Sequence, residues 1–228
     1  MGLRINTNVA AINASRTLRR STTSLNKSLE KLSSGLRINR AADDAAGLAI
    51  AEGFRSIVRG TQVAQRNAQD GISLVQTAEG SLSETTNILQ RIRELAVQSA
   101  NGTQSTSNRQ AIQSEVSQLI AQIDDISTDT EFNGIRVLSV NQTVTLQAGA
   151  QASQTLAITM GGARSADLAV SALSVSSAVQ ATSAISTLDL ALRSVNSLRS
   201  TLGAFQNRLE FSINTLAIQE ENSSASES

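Results

Sequence analysis

Adjacent carboxylates are the side chains in this sequence whose type and spacing could do chemistry. Asp43–Asp44 and Asp124–Asp125 each place two acidic residues side by side, and two carboxyl groups that share one site can act as a general acid and a general base. Residues that are adjacent in a helical sequence, however, do not lie on the same helix face. We therefore interpret both pairs as solvated surface charge.

The side chains that most enzymes use as bases, nucleophiles and metal ligands are missing. The 228 residues include no His and no Cys, which excludes histidine bases, thiolates, disulfides and Cys/His zinc sites. Gly161–Gly162 indicates a turn, because no phosphate-binding GxxxxGK[ST] motif is present. No GxSxG elbow is present either. The sequence therefore predicts a protein that is not an enzyme and needs no cofactor.

Charge and hydropathy limit the partners. Lys plus Arg and Asp plus Glu number 19 each, and this neutrality argues against nucleic acid as a partner and favours self-association. The N-terminal residues lack the apolar run of a secretory signal. No segment approaches the roughly 18 apolar residues that a membrane span requires. These features by themselves predict a soluble, cytoplasmic protein without membrane insertion.

Leucines at intervals of seven predict long helices. Proline, which breaks helix interiors, is absent, and only 2% of the residues are aromatic. We predict helices over about 5–34, 47–100, 108–127 and 179–221, the first ending at Gly35. The buried seam of the second and fourth helices is predicted to contain Val75, Leu82, Leu89, Leu188, Val195, Leu202 and Leu209.

The region 131–160 alternates apolar and polar residues with period two, which predicts short strands in hairpins. The alternation changes phase at Val137–Leu138, which leaves a β-bulge and a strand buried on both faces as alternatives. The predicted fold is therefore mainly α: an elongated rod of long, coiled-coil-like helices with a small β-hairpin patch.

Several stretches of the sequence resemble the bacterial flagellins. MGLRINTNVAAINA at 1–14 is similar to the N-terminus of that family, and LSSGLRINRAADDAAGLAIAEGFRSIVRG at 32–60 to its most distinctive stretch. LQRIRELAVQSANGT at 89–103, TEFNGIRVLS at 130–139 and STLGAFQNRLEFSINTL at 200–216 resemble later parts of flagellins in the same order.

The resemblance implies a structural subunit of the extracellular flagellar filament, which serves motility. Flagellins polymerise with copies of themselves and leave the cell through a type III export apparatus, without a cleavable signal peptide. This implication replaces the cytoplasmic expectation above. Their other partners are an export chaperone, the hook–filament junction proteins and the filament cap.

The resemblance also implies a division into domains. Residues 1–44 correspond to the inner-domain helix and its spoke, 45–222 to the helical rod domain with its β patch at about 131–160, and 223–228 to the start of a C-terminal inner-domain segment. We expect that segment to be truncated and the variable outer domains to be absent. In the family, inner-domain pairing uses the face that contains Leu18, Leu25, Leu29 and Leu32.

Flagellins of several groups are recognised by Toll-like receptor 5 on two rod helices. The residues that match the family's receptor-binding stretches here are Gln90, Arg91, Leu95, Gln98, Ile112 and Glu115. Arg91, Leu95 and Gln98 are spaced four and three apart and so share a helix face. Leu119 departs from the pattern, because the family often has Arg there. The alternative for Arg91 and Glu115 is a solvated helix face or a contact between subunits.

Two other identities are weighed against a flagellin. A hook–filament junction protein has similar terminal helices and assembles as a short ring, but the RINRAADDAAG stretch and the LQRIRELAVQSAN match favour a flagellin. An enzyme that uses the rod as a scaffold would need chemistry without His or Cys.

Overall fold

The computed structural model describes residues 8–227 and is mainly α-helical, as predicted. Its helices are α1 (Val9–Ser34), α2 (Ala45–Ala100), α3 (Thr106–Asp129) and α4 (Ala178–Glu227). Residues 5–7 of the predicted first helix lie outside the described part. Contacts along the chain form two compact units, one of Met1–Ile57 with Ser223–Ser228 and the other of Val58–Asn222. The domain limits implied by the resemblance stay a prediction.

Helix α1 is closed at both ends by local hydrogen bonds. The Asn8 side chain accepts a hydrogen bond from the Ala11 N–H at 3.1 Å, which satisfies one of the free donors at the helix start. Gly35 ends the helix with φ +69° and donates its N–H to the Lys31 carbonyl at 3.0 Å, as predicted. No residue of α1 is buried.

The residues between α1 and α2 are ordered by their acidic side chains. Glu30 on α1 accepts hydrogen bonds from Arg40 at 2.6 Å and from Asn39 at 2.8 Å. Asp44 accepts the Gly47 N–H at 2.9 Å and so caps the start of α2. Asp43 and Asp44 are both exposed, which agrees with their interpretation as surface charge, and Asp44 caps α2 in addition.

Helix α4 is longer than predicted, because the polar sequence after residue 221 remains helical up to Glu227. Glu227 pairs with Arg55 at 2.9 Å, and Ser223 is buried. The pKa of Arg55 is raised, chiefly by its hydrogen bond to Glu227 and then by the charge of Glu52. The sequence does not predict this extension, because the segment lacks apolar periodicity and its last turn is held by an ion pair to a residue far away in the chain.

Within Val58–Asn222, α2 and α4 run antiparallel. Three polar contacts join the two helices, and the residue numbers rise along α2 while they fall along α4: Gln62 with Glu220, Glu79 with Arg199 and Arg93 with Asp189. Between these polar borders lies the apolar seam. All seven residues predicted for the core seam are fully or almost fully buried: Val75, Leu82, Leu89, Leu188, Val195, Leu202 and Leu209. Burying each of these leucines contributes about 1.5–3 kcal/mol.

Two antiparallel hairpins follow α3. In the first, β1 (Glu131–Phe132) and β2 (Ile135–Arg136) are joined through Asn133 and Gly134. These two residues have φ of +50° and +77°, the left-handed conformation that a tight two-residue hairpin turn requires.

In the second hairpin, β3 (Gln142–Gln147) pairs with β4 (Thr155–Met160). It lies against α2, where the Asn67 amide donates to the Gln147 carbonyl at 3.1 Å.

The change of phase at Val137–Leu138 is due neither to a β-bulge nor to a strand that is buried on both faces. Strand β2 ends at Arg136, and the backbone then bends through 137–140 without forming a strand. Val137 and Leu138 are both buried. The Leu138 carbonyl accepts hydrogen bonds from Ser127 Oγ and from the Ala163 N–H. Both side chains therefore enter the core from an irregular segment.

A carboxylate placed in the seam should unfold Val58–Asn222. Leu89→Asp and Leu202→Asp each bury an unpaired charge at a side chain that is 0% or 3% exposed. The cost, several kcal/mol, is a large share of the roughly 5–15 kcal/mol that stabilises a typical domain. Leu190→Asp is the matched control, because Leu190 lies on α4 but is 61% exposed. We expect thermal melts by circular dichroism to show loss of the transition in the two seam variants only. Three similar melts would contradict the seam.

Alanine substitution at two glycines of α2 should affect the free energy of unfolding differently. A Cβ on Gly80 meets nothing within 4 Å, whereas one on Gly71 would lie 2.3 Å from Leu146 Cδ1 of the β3–β4 hairpin. Gly80→Ala should raise the free energy of unfolding by about 0.5–1 kcal/mol, because alanine loses less backbone entropy in a helix. Gly71→Ala should show no such gain, since Leu146 must move. Urea titrations of both variants test this, and equal gains would argue against a close hairpin contact.

Candidate functional site

The candidate site is the exposed polar face that α2 and α3 form near the turn between them. Helix α3 begins at the N-cap Ser105, whose side chain accepts the Asn108 N–H at 3.2 Å. One turn into α3, Arg109 donates to the carbonyls of Ser99 and Asn101 at 2.8 and 2.9 Å. Ser99 lies in the last turn of α2 and Asn101 directly after it, where carbonyls lack the partner that a continuing helix would supply; the Asn101 carbonyl also accepts the Gln104 N–H at 3.2 Å. Arg109 therefore fixes α3 against α2.

Arg91 and Glu115 join the two helices across this face. Arg91 Nη2 and Nε donate to Glu115 Oε1 at 2.9 and 3.2 Å, and Arg91 Nη1 donates to Glu94 Oε2 at 3.2 Å. The Arg91 and Glu115 side chains are 53% and 46% exposed. The pair is thus open to solvent, and the antiparallel arrangement of α2 and α3 brings together residues 24 positions apart.

The charge of Arg91 does not vary over any pH at which the protein folds. Its pKa is raised, first by the hydrogen bond to Glu115 and then by that to Glu94. An arginine is already protonated throughout that range. The guanidinium is therefore a permanent cation held in one orientation, and two of its five N–H groups remain for a further acceptor.

The structure separates the six residues predicted for receptor binding into two groups. Gln90, Arg91, Gln98 and Glu115 are exposed on this face. Leu95 and Ile112 are only 2% and 8% exposed, because both side chains belong to the apolar core. The expectation that these two supply surface contacts is therefore wrong for the free chain. Leu119, the departure from the family pattern, is half-buried against the same core.

Sequence reasoning overlooked Glu94, the second acceptor of the Arg91 guanidinium. Its position three residues after Arg91 was the available signal, since residues three apart on a helix are neighbours. The exposed fraction of its side chain is 69%. Glu94 therefore belongs to the surface that any partner of Arg91 meets.

The leucines predicted for inner-domain pairing form a second exposed surface. Leu18, Leu25, Leu29 and Leu32 of α1 are 68%, 59%, 53% and 81% exposed. Side chains of this size at such exposure, repeated along one helix face, mark an interaction surface. No residue of α1 is buried, so no described element covers this face.

The carboxylates are the remaining candidates for reaction chemistry. Within residues 8–227, no group of three or more carboxylates could hold a metal ion. Asp124, interpreted above as solvated charge, instead accepts hydrogen bonds from the N–H and Oγ of Ser165, both at 2.8 Å. It fastens the loop after β4 to α3.

None of the described helices is long and apolar enough to cross a membrane.

Comparison with protein families accounts for both ends of the chain. Residues 5–143 match the bacterial flagellin N-terminal helical region, and residues 185–228 match the bacterial flagellin C-terminal helical region. The first match alone covers more than half of the sequence.

Characterised proteins and a solved structure agree with these matches. The chain is 45% identical to the flagellar filament 33 kDa core protein of Treponema phagedenis, over 98% of this chain and 84% of that protein. It is 44% identical to the flagellin of Bacillus subtilis, over 99% of this chain and 86% of that protein. The crystal structure of Bacillus cereus flagellin matches with a TM-score of 0.57 at 31% identity, over 66% of this chain and 88% of that one.

These matches confirm the resemblance and favour a filament subunit over a junction protein or an enzyme. A buried seam of long helices and close similarity to filament core proteins lead to one conclusion. The chain belongs to the bacterial flagellin family and is a structural subunit of the extracellular flagellar filament, which serves motility.

Proposed function

We propose that this flagellin, when it is not assembled into a filament, binds Toll-like receptor 5 through the exposed face of α2 and α3. The observation that carries the proposal is the Arg91–Glu115 pair, which spans both helices in the open. It lies within LQRIRELAVQ and AIQSEV, the two stretches that resemble the family's receptor-binding segments.

The chemistry of this face suits a protein partner. Arg91 offers a planar fork of donors, and Gln90 and Gln98 add amide groups on the same helix. Because Glu115 and Glu94 already hold the guanidinium in place, little side-chain entropy is lost on binding. Such an ordered arginine is typical of the few residues that contribute most to an interface. Leu95 and Ile112 act beneath the surface, by packing the two helices that carry it.

The leucine face of α1 supports a proposal about assembly. In the filament, Leu18, Leu25, Leu29 and Leu32 pair with an apolar helix of the inner domain, which removes them from water. Before assembly, the subunit reaches the filament tip through the type III export apparatus with its chaperone, and it meets the junction and cap proteins there. The similarity of this chain to flagellins supports the proposal of these partners.

Removing the Arg91 side chain should weaken receptor binding. We expect Arg91→Ala to lower the affinity for the ectodomain of Toll-like receptor 5 at least about tenfold, as truncation of an interface arginine commonly does. The affinity of Arg91→Lys should lie between that of the unchanged protein and that of Arg91→Ala, since lysine retains the positive charge but not the planar fork of donors. Surface plasmon resonance on the immobilised ectodomain measures these affinities, with circular dichroism to verify folding.

Arg93→Ala is the matched control for this experiment. Arg93 is another exposed arginine of α2, but it pairs with Asp189 on α4 at 2.8 Å and lies about 200° around the helix from Arg91. Its loss should leave the affinity near that of the unchanged protein. Equal affinities for Arg91→Ala and Arg93→Ala would show that Arg91 is not a contact. Absence of binding by the unchanged protein would reject the receptor proposal as a whole and point to Leu119.

A further inference from the structure

Helix α1 has an excess of positive charge in a chain whose net charge is zero. Helix α1 contains five basic side chains, Arg16, Arg19, Arg20, Lys27 and Lys31, and a single acidic one, Glu30, which gives it a net charge of +4. Because the whole chain has 19 residues of each sign, the remainder has a net charge of −4. Glu30 is moreover engaged by Arg40 at 2.6 Å.

The charges and the apolar side chains occupy opposite faces of α1. At 3.6 residues per turn, Leu18, Leu25, Leu29 and Leu32 fall within about 60° of one another, and all five basic residues lie at least about 100° from Leu18. Every one of these nine side chains is exposed. None of the five basic residues forms an ion pair with another residue in the range 8–227.

A helix of this kind matches an anionic lipid surface. Amphipathic helices with a basic polar face lie in the plane of the bilayer interface, where the apolar side chains enter the boundary of the acyl chains. Long basic side chains reach back to the lipid phosphates. The helix does not have to span the bilayer, and none of the described helices could.

The charge pattern also argues against a second copy of α1 as the occupant in the free protein. Helices that pair through leucine seams are usually supported by opposite charges at the edges of the seam. Two copies of α1 would instead bring together two helices of net charge +4, and the single acidic residue of each is already engaged. An anionic surface relieves this repulsion, whereas a second α1 increases it.

We propose that, in the unassembled subunit, α1 binds the surface of anionic membranes through its leucine face and its five basic residues. The binding is peripheral and reversible, since few apolar side chains enter the bilayer and the electrostatic contribution is screened by salt. In the filament the same leucines are occupied by the inner domain, so membrane binding is a property of the free subunit. The proposal does not depend on the receptor site, which lies on α2 and α3.

The test uses the full 228-residue chain and vesicles of phosphatidylcholine, with or without phosphatidylglycerol. Co-sedimentation should show binding to the phosphatidylglycerol vesicles and release at high salt, with little binding to phosphatidylcholine alone. The triple variant Arg16→Gln, Arg19→Gln, Arg20→Gln should bind on the order of 100-fold more weakly, because each basic residue near an anionic surface contributes about fivefold.

A second triple variant removes the same charge elsewhere. Arg59→Gln, Arg66→Gln and Arg193→Gln replace exposed arginines in Val58–Asn222, and this protein should bind like the unchanged chain. To test the apolar face, Leu25→Gln with Leu29→Gln should also weaken binding. Leu190→Gln with Ile218→Gln, two exposed positions on α4, should not. All substituted side chains are exposed, so circular dichroism melts should be unchanged.

Several results would overturn the proposal. Equal loss in the two arginine triples would mean that net charge alone causes adsorption. Loss in the arginine triple but not in the leucine variant would indicate that α1 binds any polyanion and not specifically a bilayer. Failure of the unchanged chain to sediment with phosphatidylglycerol vesicles would reject the proposal outright. If sedimentation equilibrium also showed a dimer abolished by the leucine variant, a second copy would be the occupant.

Discussion

Burial of one apolar seam between antiparallel α2 and α4 is the constraint on which the rest of the structure depends. The side chains of Leu82, Leu89, Leu188 and Leu209 are completely excluded from solvent, and isolated helices are only marginally stable in water. The aromatic content is only 2%, so no large ring anchors a globular core, and closely interdigitated aliphatic side chains take that role. Helix α3, both hairpins and the loop after β4 all complete this seam.

Polar side chains determine how the secondary elements attach to the seam. Arg109 binds the carbonyls at the end of α2, and Asp124 and Ser127 bind the segments that follow the hairpins. Gln113 accepts the Val175 N–H at 2.6 Å. Each of these contacts satisfies backbone groups that no regular ladder can pair. They hold α3 at a fixed position along α2, and that position brings Arg91 and Glu115 together.

The described residues include two exposed surfaces of different chemistry. The face of α2 and α3 is polar and pre-ordered by ion pairs, so it suits recognition by a protein partner. The leucine face of α1 is apolar, the opposite face of the helix is basic, and no described residue covers either. The leucine face therefore suits the proposed exchange of one binding partner for another when the subunit assembles. The zero net charge of the chain does not show this division, because the excess positive charge of α1 is offset by an excess of negative charge in the rest of the sequence.

Much of this protein could be predicted from its sequence, because heptad spacing identifies the apolar face of a helix, which in α2 and α4 is the buried face. All seven predicted seam residues are buried, the left-handed Gly35 ends α1, and the order of motifs indicated the flagellin family that comparison confirms. Local signals of this kind need no knowledge of distant residues. The end of α4 at Glu227 escaped prediction because its last turn depends on Arg55, 172 positions away.

The candidate site shows the same division at the level of single residues. The spacing of Arg91, Leu95 and Gln98 predicted that they share one face of a helix, and in the structure all three lie on the continuous helix α2. Only the packing of α3 decided that Leu95 and Ile112 enter the core while Arg91 meets Glu115 in solvent. The sequence by itself therefore determined the helices, their seams and the family. Tertiary structure decided which residues of a shared face remain accessible, because accessibility depends on the neighbouring element that covers part of that face.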